Sequence, residues 1–130
     1  MYHVDVTWKE ETIAICSDTR GNEMLCDWEN ENSLSPVQIM VQMVGVCSMA
    51  EIVVGMKERE FDSLSIGIDY ERNDENPRYV TKINLIFKLN TDSKWEKLIR
   101  RLIEQTLNKY CSVASTLSGV AKITWELELN

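Results

Sequence analysis

The chain has 130 residues, of which 44% are hydrophobic and 27% are charged, and its 21 acidic and 14 basic side chains give a net charge of −7. This length predicts one domain, residues 1–130, with a core of its own. The negative charge argues against a nucleic-acid partner, because phosphates need a basic face. The N-terminus lacks a basic segment followed by an apolar one, so we expect a cytoplasmic protein.

Three short strands are predicted near the N-terminus. Val4, Val6 and Trp8 alternate with polar residues, which is the period of a half-buried strand. Thr12–Cys16 and Glu23–Trp28 are expected to follow as the second and third strands, separated by a turn rich in Gly, Asn and Asp. This pattern predicts an antiparallel meander.

The first helix has a complete start signal. Ser35 suits the N-cap, Pro36 suits the first helical position, and Gln38 completes a capping box. The helix is expected to run to about Lys57 and is apolar nearly all round, so burial on most faces is predicted. Three polar residues interrupt residues 36–56, which favours a core helix over a membrane span; we expect no membrane partner.

The second half of the chain is predicted to hold a hairpin, two helical segments and a last strand. The strands are expected around Leu64–Tyr70 and Tyr79–Leu89, with the odd-numbered residues of the second facing inward. A capping box of Ser93 and Glu96 predicts a helix that continues to Tyr110. Residues 112–118 predict a further helical turn or two, and Ile123, Trp125, Leu127 and Leu129 define the final strand. The predicted order is β-β-β-α-β-β-α-α-β, an α+β fold.

Four cysteines are the main candidates for chemistry. They form no C-x-x-C pair and have only His3 as an imidazole partner, so we expect neither a metal site nor a cofactor. Cys16 and Cys26 fall on neighbouring strands and are interpreted as packing residues. Cys47 and Cys111 are predicted to be a redox pair if folding brings them together, because one thiolate attacks an oxidant and the other resolves the product as a disulfide.

The local settings of Cys47 and Cys111 differ. Helical spacing places Cys47 beside apolar residues, among them Met40 and Met43, which raise a thiol pKa rather than lower it. Cys47 could therefore also be a small hydrophobe on a buried helix. Cys111 sits at the expected start of the helix over residues 112–118, where the dipole favours a thiolate, but a cap or core role is equally open.

Four segments of the chain form a set of short motifs: Ser35-Pro36, Gly45-Val46-Cys47-Ser48, Asn76–Ile83 and Lys109-Tyr110-Cys111-Ser112-Val113. Together they resemble the OsmC/Ohr superfamily, the osmotically inducible and organic-hydroperoxide-resistance proteins. The resemblance covers nearly the whole chain, including the order of strands and helices.

The resemblance implies an intertwined homodimer with its active sites near the dimer interface. By the same resemblance, Cys47 matches the peroxidatic cysteine and Cys111 the resolving cysteine of a thiol-dependent hydroperoxide reductase. The implied substrates are hydroperoxides, often organic, which suits Met40 and Met43 as substrate-binding residues. The implied reductant is a small or protein-borne dithiol.

The chain departs from the family pattern at the group that activates the thiol. The characterised peroxidases pair an arginine in the first hairpin with a glutamate after the helix-starting proline, whereas this chain has Lys9-Glu10-Glu11 and Val37-Gln38 there. It is closer to the less-characterised OsmC-like branch. Lys9, Arg20 and Arg78 are the candidate cations, and Arg78 is preferred because a guanidinium stays charged when partly buried.

A second hypothesis remains open from the sequence. The protein could be a non-catalytic dimer that binds a small apolar ligand, with vestigial or regulatory cysteines. The two hypotheses differ in whether two thiols per chain react selectively with a peroxide.

Overall fold

The computed structural model describes all 130 residues, whose contacts divide the chain into two compact units, Met1–Met40 and Val41–Asn130. The order of elements confirms the predicted β-β-β-α-β-β-α-α-β arrangement and the α+β class. The strands and helices are β1 (Asp5–Glu10), β2 (Ile13–Ser17), β3 (Glu23–Asp27), α1 (Pro36–Met56), β4 (Phe61–Arg72), β5 (Val80–Thr91), α2 (Glu96–Gln105), α3 (Ser112–Leu117) and β6 (Lys122–Leu129).

The first unit contains the predicted meander. β2 pairs antiparallel with β1 on one side and with β3 on the other, and Ile15 lies opposite both Thr7 and Leu25. The apolar residues of β1 are exposed; Val6 is 72% and Trp8 is 69% accessible to solvent. Contiguous exposed apolar residues of this kind are a common feature of interaction surfaces.

The loop after β3 is organised by the carboxylate of Asp27, which is fully buried. The carboxylate accepts hydrogen bonds from the Thr12 hydroxyl at 2.7 Å and from the backbone N–H groups of Glu29 at 2.9 Å and Asn32 at 3.0 Å. The hydrogen bond from Thr12, followed by those from the backbone, lowers the pKa of Asp27.

The capping box at the start of α1 is confirmed. The Ser35 hydroxyl accepts from the Gln38 backbone N–H at 3.3 Å, and the Gln38 side-chain oxygen accepts from the Ser35 N–H at 2.9 Å. Two backbone donors that the first helical turn leaves without partners are therefore satisfied.

The second unit is built on a sheet with the strand order β4-β5-β6. β4 and β5 form the predicted antiparallel hairpin, and β6 pairs parallel to β5, with Ile83 opposite Ile123. The parallel pairing requires a long crossover, which the helices between β5 and β6 supply. Of the predicted inner residues of β5, four are buried: Ile83, Leu85, Phe87 and Leu89. Tyr79 is instead 49% exposed and precedes the strand.

The predicted second helix differs from the observed one at both ends. Ser93 is not the N-cap; the Asp92 side chain accepts from the Lys94 N–H at 2.9 Å and caps a short 3₁₀ turn, Ser93–Trp95, that precedes α2. The helix does not run unbroken to Tyr110 either, because Thr106–Tyr110 is a π-helical turn. An aspartate one residue earlier competes as a cap, and periodicity does not distinguish a π turn from an α turn.

In the single chain, α1 is buried along one side only. Its buried residues are Val41, Val44, Gly45, Ser48, Ile52 and Met56, and its exposed apolar residues include Val46 (56%), Val53 (47%) and Val54 (73%). The prediction that α1 is buried on most of its faces is therefore not met within one chain, where only one face is buried. By length and composition alone α1, with a mean hydropathy of 1.8, could span a membrane, and core helices of soluble proteins share these properties.

Candidate active site

Cys47 lies on α1, in the second unit, and its side chain is partly exposed. Cys111 is fully buried and is the N-cap of α3. Its backbone is extended, with φ −78° and ψ 107°, and its Sγ accepts a hydrogen bond from the Ala114 N–H at 3.3 Å. The prediction that Cys111 stands at the start of a helix over this segment is confirmed. A thiol here occupies the position that serine or aspartate usually fills.

The Cys47 and Cys111 thiols are close neighbours. Burial raises the pKa of Cys111, and the neighbouring Cys47 thiol raises it further, while the N–H of Ala114 opposes both effects. The Cys111 thiol is therefore held protonated near neutral pH. Two neighbouring sulfurs, one partly exposed and the other buried, suit a chemistry in which one reacts first and the other follows.

Gly55 of α1 lies against the side chain of Leu102 on α2. A Cβ built on Gly55 would lie 2.5 Å and 2.9 Å from the two methyl carbons of Leu102. A larger residue at this position would therefore force the Leu102 side chain to move. The π-helical turn then brings the chain round to Cys111, whose N–H donates to the carbonyl of Thr106 at 2.6 Å.

Three functional candidates were not found from the sequence. The Ser48 hydroxyl is buried beside Cys47 and donates to the Val44 carbonyl at 2.7 Å. Thr106 is buried and its Oγ1 has no hydrogen-bond partner. A buried hydroxyl without a partner in the protein is uncommon in folded proteins. The third candidate is Ala114, whose backbone N–H donates to the Cys111 sulfur. The only feature of the sequence that could have indicated these three residues is that they lie close along the chain to Cys47 or Cys111.

The candidate substrate-binding and activating residues are placed as follows. Met43, one helical turn before Cys47, is 37% exposed, and Met40, the last residue of the first unit, is 36% exposed. Arg78 is exposed in the β4–β5 connection, and its carbonyl accepts from the Arg72 Nε at 2.9 Å. No cation is among the groups that shift the Cys111 pKa. The activating role of Arg78 stays a prediction.

Cys16 and Cys26 form a second pair of neighbours, in the first unit. Cys16 lies opposite Met24, and Cys26 lies opposite Ala14, so the two thiols are diagonal neighbours on one face of the meander. Burial raises the pKa of Cys26, and the nearby Cys16 and Asp27 add to this. All four cysteines are free thiols.

The fold and the thiol pair define an α+β protein with two adjacent cysteines on neighbouring helical segments. The sequence model described as OsmC-like protein matches residues 29–126, and the chain belongs to this family. The chain is also similar to Protein YhfA of Escherichia coli K12, at 27% identity over 127 residues and 95% of each chain.

Solved structures share the fold over nearly the whole chain. The OsmC-like protein from Mycoplasma pneumoniae has a TM-score of 0.78 at 16% identity, covering 99% of this chain and 96% of that one. The organic hydroperoxide resistance protein OhrB of Bacillus subtilis has a TM-score of 0.63 at 14% identity, covering 98% of each chain. Membership of this family supports a general peroxide-related role.

Proposed function

We propose that the protein is a thiol-dependent hydroperoxide reductase in which Cys47 is the peroxidatic cysteine and Cys111 the resolving cysteine. The observation that carries this proposal is the proximity of the two thiols, one partly exposed and the other buried. The exposed sulfur is the one that a substrate reaches first. The buried sulfur is protected until its partner has been oxidised.

The proposed reaction has three steps. The Cys47 thiolate attacks one oxygen of the hydroperoxide, the O–O bond breaks, and the products are a Cys47 sulfenic acid and an alkoxide that takes a proton to become the alcohol. The Cys111 thiol then attacks the sulfenic sulfur, forming a disulfide and releasing water. A dithiol reduces this disulfide by two exchange steps and is itself oxidised to a disulfide.

The apolar side chain of Met43 supports organic hydroperoxides as the substrates. Met43 is exposed one turn before Cys47 on α1, so an alkyl group would find an apolar contact near the reacting sulfur. Hydrogen peroxide has no such group and gains nothing from this contact. We expect Met40 to add to the same apolar surface, as helical spacing indicates.

We also propose that the protein works as a homodimer. The exposed apolar residues of α1, such as Val46 and Val54, and those of β1, Val6 and Trp8, are surfaces that a second copy would cover. Analytical ultracentrifugation at micromolar concentration is expected to give a dimer. A stable monomer of 15.1 kDa would contradict the proposal.

The enzyme hypothesis is tested by counting free thiols during titration with cumene hydroperoxide. Wild-type protein is expected to lose two of its four thiols per chain and to regain both with dihydrolipoamide. Cys47→Ser should lose none, and Cys111→Ser should stop at a Cys47 sulfenic acid, which dimedone traps.

Cys16→Ser is the matched control, because Cys16 is also partly exposed but lies in the first unit; it should behave as wild type. Equal and slow loss of all four thiols would instead favour the non-catalytic binding protein.

A further inference from the structure

A cavity of about 910 Å³ lies in the second unit, away from the thiol pair along the sequence. It is lined by the segment that follows α1, by the end of β5 and by the 3₁₀ turn before α2, and it opens to solvent. Its size is within the range of small-molecule sites, which is roughly 300–1,000 Å³. Neither the fold nor the thiol chemistry accounts for it.

Two cations face one aromatic ring in this cavity. The Arg59 guanidinium carbon lies 4.7 Å from the centroid of the Trp95 ring, and the Lys94 Nζ lies 5.0 Å from it. Each contact is a favourable cation–π interaction, but the two positive charges repel each other. The ion pairs of the chain involve neither residue. An anion that contacts either side chain would therefore displace no ion-pair partner.

The guanidinium of Arg59 is also incompletely satisfied. One terminal nitrogen donates to the Met56 carbonyl at the end of α1, at 3.4 Å, but the Nε–H is shielded from solvent and has no acceptor. A buried donor without an acceptor is unfavourable. A carboxylate entering the cavity would supply acceptors in the planar geometry that a guanidinium prefers, if the side chain turns towards it.

The charges around the cavity indicate the class of anion. Its lining holds three cations, among them Lys57, and four carboxylates, those of Glu58, Glu60, Asp62 and Asp92. These exposed carboxylates would repel a doubly charged phosphate more than a singly charged group. Phe61 and Trp95 add apolar surface to the lining.

We propose that this cavity binds a small monocarboxylate with an apolar tail, the carboxylate held by Arg59 and Lys94 and the tail lying against Phe61 and Trp95. The site is independent of the thiol pair and does not rest on the proposed reductase activity. Arg59 is held in place at the end of α1, because its backbone N–H donates to the Met56 carbonyl at 3.0 Å.

The test is calorimetric titration of the full chain with hexanoate, accompanied by ¹H–¹⁵N spectra of the arginine Nε–H groups. Hexanoate is expected to bind with a Kd of about 1 mM or tighter and to move one arginine Nε–H signal, which Arg59→Lys removes. Arg59→Lys keeps the charge but loses the planar fork, and should weaken binding at least about tenfold, as should Lys94→Gln. Arg101→Lys, an exposed arginine on α2, should change nothing.

The uncharged hexanamide is expected not to bind. Three results would overturn the proposal: no heat and no shift with hexanoate, equal binding of hexanamide, or tighter binding of inorganic phosphate than of hexanoate. The first would mean that Arg59 only caps α1. The Cys47 alkylation rate, measured on the same samples, should be the same in Arg59→Lys and wild type. Failure of this site is therefore distinguishable from failure of the reductase.

Discussion

The protein has two pairs of neighbouring cysteines that look alike in composition but differ in geometry. In each pair one thiol is partly exposed and the other is buried, and burial raises the pKa of the buried one. Cys47 and Cys111 belong to helical segments, and the Cys47 thiol is close enough to raise the pKa of Cys111. Cys16 and Cys26 are fixed by strand register as diagonal neighbours. The two pairs therefore differ in the backbone that carries the thiols and not in their number or burial, and this difference is the basis for assigning the proposed redox role to Cys47 and Cys111.

The largest expected effect is in disulfide formation. Diagonal residues on paired strands have Cα atoms about 7–8 Å apart, whereas a disulfide needs no more than about 7 Å. Diamide is therefore expected to cross-link Cys47 to Cys111 and to leave Cys16 and Cys26 reduced, as read by mass spectrometry of peptides from unreduced digests. A Cys16–Cys26 cross-link that forms as fast as the other would remove the distinction between the pairs.

A smaller effect, on stability and on the rate of Cys47–Cys111 cross-linking, is expected when the contact between Gly55 of α1 and Leu102 of α2 is disturbed. In Gly55→Ala the new methyl group would overlap Leu102, and overpacking costs about 1–3 kcal/mol, offset by about 1 kcal/mol of improved helix propensity. We expect a net loss of up to about 2 kcal/mol in the free energy of unfolding and slower Cys47–Cys111 cross-linking.

Gly67→Ala on β4 is the matched control, because nothing lies within 4 Å of a Cβ built there. Urea denaturation measures stability in both variants. Unchanged cross-linking in Gly55→Ala would show that the helix contact does not set the distance between the thiols.

The stability of the meander that carries Cys16 and Cys26 should depend on pH through Asp27. The hydrogen bonds lower the pKa of Asp27 in the folded state below its unfolded value of about 3.9. Its contribution to stability is thus complete above about pH 3.9 and is lost as the pH falls through the lower folded value. Amide exchange of β2 and β3 is expected to accelerate on acidification, and Asp27→Asn should flatten this dependence. The same acid dependence in the variant would assign it to another group.

The smallest effect is expected on Cys47 reactivity when Arg78, the candidate activating cation, is replaced. Arg78 is exposed, so solvent and salt screen its field. The pH profile of Cys47 alkylation should shift to higher pH by a few tenths of a unit in Arg78→Met, and the profile of Cys16 should stay where it is. Lys82→Met, which removes an exposed cation of the same hairpin that has no contact with Arg78, is the control. An unshifted profile in Arg78→Met would exclude Arg78, and Lys9 and Arg20 would be the remaining candidates.

Local signals in the sequence predicted most of the elements. The capping box of Ser35 and Gln38 specified the start of α1, and alternation specified the β4–β5 hairpin, because both depend on residues close in sequence or on a simple period. The same reasoning missed Asp92 as a cap and the π turn before Cys111. Competing caps and an added residue in a helical turn differ by small energies that periodicity does not reveal.

The sequence by itself determined the class of fold, the order of elements and the two cysteines that deserve a functional hypothesis. Only the tertiary structure decided that the Cys47 and Cys111 thiols are neighbours, that β6 runs parallel to β5, and that Arg59 and Lys94 share the ring of Trp95. These facts join residues far apart in the chain or depend on side-chain direction. They follow from how α1, α2 and the sheet pack, and packing is set by contacts such as that of Gly55 with Leu102, which no local pattern encodes.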